Sequence, residues 1–101
     1  MVTSKRKPTY NLTSIQKALK TVKTLKMTFS ARRDATDLGF DDQDVISAIQ
    51  SIQAKDFYKT MPSIDPSYPY QDVYKFMYKE LYIYIKFQDI NGSFVVSFKE
   101  V

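Results

Sequence analysis

Two hydrophobic periods divide the chain near residue 55. Before it, apolar residues recur at intervals of three and four: Ile15, Ala18, Leu19 and Val22 share one helical face, with Lys17 and Lys20 opposite. Thr13 and Gln16 have the spacing of a capping box ahead of that helix. Residues 25–29 alternate and predict a short strand. Ser30 is a cap for a second helix reaching Leu38, with Gly39 as its terminator. Asp41 and Asp42 open a third helix, where carboxylates suit the positive end of the helix dipole, and Val45, Ile46, Ile49 and Ile52 form its buried stripe. From Lys55 the period becomes two. Strands are predicted over 55–61, 70–78, 81–89 and 93–101, with an irregular connection marked by Pro62, Asp65, Pro66 and Pro69. Lys79-Glu80 and Asn91-Gly92 are the tight turns, the second being the strongest short hairpin signal.

A two-residue turn at Asn91-Gly92 fixes the register of the last hairpin, with Ile90 facing Ser93. Ile83, Ile85, Phe87, Phe94, Val96 and Phe98 then share one face, which must be the core side. Tyr82, Tyr84, Lys86 and Gln88 lie on the other face, with Ser97 and Lys99. Tyr84 falls opposite Lys99, with Cβ atoms about 5 Å apart. A solvated sheet face is ordinarily polar, but a tyrosine and two lysines together also make a donor-rich cluster suited to a phosphate.

Composition narrows the chemistry. The 101 residues are the size of one domain, with residues 1–8 as a basic arm. His and Cys are both 0, so histidine triads, imidazole bases, thiolate nucleophiles and His/Cys metal sites are all excluded. The acidic pairs could suggest a metal, but their position at a helix start fits capping better. No apolar run reaches the length of a membrane span, and cytoplasmic residence is the expectation. The charge is unevenly laid out. Residues 1–33 hold nine Lys/Arg and no acid, and residues 34–56 hold six Asp against one Lys. Such a basic segment serves either a polyanion or simply a solvated helix face.

Four strings occur in order: Asp56-Phe57-Tyr58-Lys59 followed by Met61, Gln71-Asp72-Val73-Tyr74, Tyr84 with Lys86, and Val96-Ser97-Phe98-Lys99-Glu100. In this respect the chain resembles the MqsR family, toxins of type II toxin–antitoxin systems. The resemblance is dense from Lys55 onward and thinner but collinear before it. It implies an α+β, RelE-like fold, a curved antiparallel β-sheet flanked by N-terminal helices. It also implies a metal-independent endoribonuclease that needs no cofactor and cuts mRNA at short GC-containing sites. Position by position, it makes Lys59, Gln71, Tyr84 and Lys99 the functional residues. Its implied partner is a zinc-binding, MqsA-like antitoxin whose helix-turn-helix half binds the operator, so that DNA is met only indirectly. Two departures stand out: Tyr70 occupies a Trp position, and Lys75-Phe76-Met77 replaces an Arg-Pro-Arg-like stretch near the RNA path.

Metal-free RNA cleavage uses the 2′-OH as nucleophile, so the protein must manage two protons and the charge gathering on phosphorus. Lys59 and Lys99 suit that charge, Tyr84 proton transfer and Gln71 orientation of the RNA, with the roles of Tyr84 and Lys59 exchangeable. A cationic surrounding is expected to lower the tyrosine pKa. Tyr58, Lys75, Lys86, Lys17 and Lys20 are candidate RNA contacts. The alternative is a non-catalytic basic RNA-binding module using the same lysines for phosphates and exposed tyrosines for bases. A purely structural interaction domain would leave the acid-free first third unexplained.

Overall fold

The computed structural model describes residues 7–98 except Ile64 and Pro66, with the backbone alone of Lys99 and Glu100. Most of the expected basic arm therefore lies outside the described residues. Three helices precede a four-stranded antiparallel sheet: α1 (Leu12–Ala18), α2 (Phe29–Asp37), α3 (Asp42–Ser51), then β1 (Phe57–Met61), β2 (Gln71–Tyr78), β3 (Leu81–Ile90) and β4 (Ser93–Glu100). The strands are ordered β1-β2-β3-β4, each pairing with its sequence neighbour. This is an α+β fold with its helices first. No helix among the described residues is long and apolar enough to cross a membrane.

The helix starts differ from the expected ones. Asn11, not Thr13, caps α1 by accepting from the Ser14 amide at 3.0 Å. Asn before the first apolar residue is the stronger cap, and Gln16 is free for a tertiary task. Its amide donates to the Ile49 and Ile52 carbonyls at 3.0 and 2.9 Å, satisfying the C-terminal end of α3. Thr28, not Ser30, caps α2. Helix α1 stops at Ala18, and Val22 lies in a separate short 3₁₀ turn where it is exposed rather than buried. Lys20 thus falls just beyond α1. Asp41 and Asp44 cap reciprocally at 2.8 and 3.0 Å, which accounts for the acidic start of α3.

The expected strand at 25–29 is reduced to one parallel bridge. Met27 pairs with Val96, through bonds from the Thr28 amide to the Val96 carbonyl and from the Val96 amide to the Lys26 carbonyl. Residues 54–56 form a 3₁₀ turn, so β1 starts at Phe57, two residues later than the alternation suggests. The β3–β4 register has Ile90 opposite Ser93 and Tyr84 opposite Lys99, as the hairpin turn requires. Asn91 and Gly92 both have positive φ, 53° and 82°. Lys79 and Glu80 take φ values of 50° and 68° without a glycine, a conformation that costs ordinary residues.

The core lies on one face of the sheet. Tyr74, Ile83, Ile85, Phe87, Val96 and Phe98 pack there against Ile15 and Leu19 of the α1 segment, Ala31 and Ala35 of α2, and Val45, Ile46 and Ile49 of α3. Phe94 is partly buried beside them, edge-on to Tyr10. Asp72 is fully buried on this face. Its two carboxylate oxygens accept the Thr9 and Tyr10 amides at 2.9 and 2.8 Å, strapping the chain ahead of α1 onto β2. Both oxygens are therefore hydrogen-bonded, as a buried carboxylate requires.

Candidate active site

Alternation along the strands sends one set of residues to the face away from the core. Antiparallel pairing arranges them in rows, with strands about 4.8 Å apart and successive rows about 6.8 Å apart along each strand. One row holds Lys75, Tyr84 and, by backbone register, Lys99. The next, moving away from the β2–β3 turn, holds Lys59, Val73, Lys86 and Ser97. A third holds Met61, Gln71, Gln88 and Val95. On the other side of the Tyr84 row stand Met77 and Tyr82.

This brings Lys59, Gln71, Tyr84 and Lys86 onto one surface within three adjacent rows, with Lys99 at the matching backbone position. The side chain of Lys99 lies outside the described residues. Lys17 and Lys20 are not brought there. They are exposed on and just after α1, whose Ile15 and Leu19 are buried among the inner-face side chains.

A bulge in β1 between Phe57 and Lys59 leaves Tyr58 without a register partner. Its ring meets two cations: the Lys75 Nζ lies 4.0 Å and the Lys59 Nζ 5.3 Å from its centroid. Lys75 is also 5.8 Å from the Tyr84 centroid, so one ammonium bridges two tyrosine rings. Lys75 therefore belongs to the centre of the cluster, beside the tyrosine. The sequence carried the signal for this. A two-residue turn at Lys79-Glu80 pairs Tyr78 with Leu81 and, by the same counting, Lys75 with Tyr84.

The tyrosine expectation is reversed. The Tyr84 phenol is pushed above its ordinary value of 10.0, first by burial and then by the neighbouring Tyr58. Burial disfavours the charged phenolate, and this sets the direction of the shift. Tyr84 therefore keeps its proton at neutral pH.

Beside Tyr84 a groove of about 160 Å³ is lined by Ser30, Ala31 and Asp34 of α2 and by Lys86, Ser97 and Phe98 of the sheet. Nothing local in the sequence places Ser30 and Asp34 beside Tyr84. Their approach depends on the bridge between Met27 and Val96, a long-range contact with no local signature. At the far end, Gln88 donates to the Pro69 carbonyl at 2.8 Å and to the Ser63 hydroxyl, tying the irregular β1–β2 connection to the row that contains Gln71.

A family described as "Motility quorum-sensing regulator, toxin of MqsA" matches residues 7–100. The mRNA interferase toxin MqsR of Escherichia coli (strain K12) is 32% identical over 96 residues, covering 95% of this chain and 97% of that protein. The chain belongs to the MqsR toxin family.

Proposed function

We propose that this MqsR-family protein is a toxin endoribonuclease that cuts mRNA at short GC-containing sites without metal, on the outer face of its sheet. The observation that carries this reading is the gathering of Lys59, Lys75, Tyr84 and Lys86 in two adjacent register rows, with Lys99 opposite Tyr84. The similarity to a named mRNA interferase toxin supports the substrate class.

The chemistry follows from the groups present. The 2′-oxygen of the RNA attacks the adjacent phosphorus as its proton passes to water. The bond from phosphorus to the 5′-oxygen breaks, and Tyr84 delivers its phenolic proton to that departing oxygen. Lys59 and Lys99 meet the negative charge that develops on the phosphoryl oxygens, where preorganised donors act most strongly. Gln71 orients the strand, and Lys75, Lys86 and Tyr58 hold neighbouring phosphates and a base. The products are a 2′,3′-cyclic phosphate and a 5′-hydroxyl. The protein acts in the cytoplasm, and a zinc-binding MqsA-like antitoxin with a helix-turn-helix half neutralises it.

The test is cleavage of a defined RNA in EDTA, with end-group analysis of the fragments. Cyclic phosphate ends are expected. Binding without cleavage would make the chain an RNA-binding module, and a strict need for Mg²⁺ would overturn the mechanism.

A further inference from the structure

The row beyond Tyr84 has no part in the chemistry above or in the core. Tyr82 and Met77 face one another across β2 and β3 and are 45% and 63% exposed. The four other tyrosines of the strands are engaged. Tyr74 and Tyr78 make ring contacts inside the fold, and Tyr84 is approached by Lys75. Tyr58 already has an ammonium on its ring. Among the described residues, neither a ring nor a cation stacks on Tyr82.

We propose that Tyr82, with Met77 opposite, is a stacking platform for the nucleobase next to the scissile phosphate, so that Tyr82 is a binding and positioning residue for the RNA strand. This deepens the endoribonuclease reading and rests on it. Three features point to a base as the occupant. The platform is continuous with the cationic surface, one row from Tyr84. That row step is about 6.8 Å along the strand, comparable with one nucleotide of an extended chain. The platform itself offers a flat apolar ring flanked by a flexible thioether, with Lys75 on the adjoining row of the same strand to hold the phosphate. An aromatic face beside a basic track is how single strands are held without base-specific hydrogen bonds.

The probe is a short RNA carrying a 2′-deoxy residue at the cut site, which blocks cleavage, and 2-aminopurine on either side of it. Wild-type protein should quench the fluorescence of one of the two positions. Tyr82→Ala should abolish that quench and weaken binding about 5- to 150-fold, the usual range for one lost stacking contact. Tyr82→Trp should restore both. The slope of log affinity against log salt should be the same in all three, because a stacked base releases no counterion. A Tyr82→Ala protein that binds and quenches like wild type would overturn the proposal, as would a loss confined to the salt slope. Wild-type RNA affinity in Tyr82→Ala together with a lower sedimenting mass would assign the patch to a second copy of the chain, and would equally overturn it. Failure of wild-type protein to cut the unmodified RNA would instead strike the endoribonuclease reading, which is scored separately from the quench.

Discussion

The two faces of the sheet differ by one step along each strand, and that step separates the packed core from the proposed catalytic surface. In β3, Ile83, Ile85 and Phe87 are fully buried against the helices, while Tyr84 and Lys86 between them look outward. The string Gln71-Asp72-Val73-Tyr74 shows the same division in four residues. Tyr74 packs into the core and Asp72 anchors the chain ahead of α1, while Gln71 and Val73 belong to the outer rows. Val73 stands between Lys59 and Lys86 and is fully buried, so even the outer face has an apolar seat. A motif in a strand therefore mixes two kinds of constraint, and only register tells them apart.

The comparison breaks most visibly if neighbouring residues are truncated. Phe87→Ala should cost about 3–5 kcal/mol, because a fully buried ring leaves a cavity beneath three helices. Lys86→Ala, one residue away on the half-buried outer face, should cost well under half of that. Urea unfolding of both variants checks this. Equal losses would mean that the outer face is structural too.

Tyr84→Phe should next show the reverse signature. Removing only the phenolic oxygen takes away the proton donor, with an expected loss of about 10²–10³-fold in single-turnover cleavage. Stability should change far less than activity, since the ring that carries the packing remains. Because burial pushes the Tyr84 pKa upward, the donor form persists above the ordinary tyrosine range. The alkaline limb of the wild-type rate profile should therefore lie above about pH 10. A limb near neutrality would show that another group titrates. Full activity in Tyr84→Phe would remove the tyrosine from the mechanism.

The inner face has its own pH signature. Burial, and then the charge of Asp72, push the Tyr74 phenol from 10.0 up to about 12. A raised pKa in the folded state means that folding favours the protonated form. Its contribution is fully present below pH 10 and is lost as the pH rises toward about 12. Two pKa units correspond to about 2–3 kcal/mol at most. Wild-type stability should therefore fall over that window, and Tyr74→Phe should fall less steeply. Parallel slopes in the two proteins would show that the alkaline loss comes from elsewhere.

What could be read from the sequence follows from how local each determinant is. The Asn91-Gly92 turn sets the β3–β4 register within its own residues, so Tyr84 opposite Lys99 follows by counting. Gly39 and the Asp41–Asp44 box are equally local. The helix stripe at Val45, Ile46 and Ile49 was legible because its period persists over the whole element. The errors lie where distant parts compete. Gln16 looked like a capping partner because nothing local reveals that it satisfies carbonyls at Ile49 and Ile52. Residues 25–29 alternate like a strand, yet β4 offers them only one bridge at Val96 before Thr28 caps a helix. The Tyr84 pKa was misjudged for the same reason. Neighbouring charges can be counted along a sequence, whereas burial depends on what folds over the ring.

The smallest effect is expected where the basic first third meets the RNA. Lys17 and Lys20 are exposed on and just after α1, and α1 covers the inner face of the sheet, away from the rows that hold Tyr84. At physiological salt, charges screen within about 8 Å, so these two lysines act on bound RNA only if the strand reaches around to them. A lysine that pairs with a phosphate on a single strand contributes about 0.7 to the slope of log affinity against log salt. Replacing both Lys17 and Lys20 with Gln should lower the slope by less than one such contact, with single-turnover cleavage at saturating protein unchanged. Lys59→Ala, within the rows, should lower the slope by about 0.7 and slow cleavage as well. At low salt, where screening relaxes to about 30 Å, the double variant should show its full deficit as slower association. A slope lower by about 1.4 in the double variant would mean that both lysines hold phosphates. The RNA path would then run over the helices, and the division between the two faces would have to be redrawn.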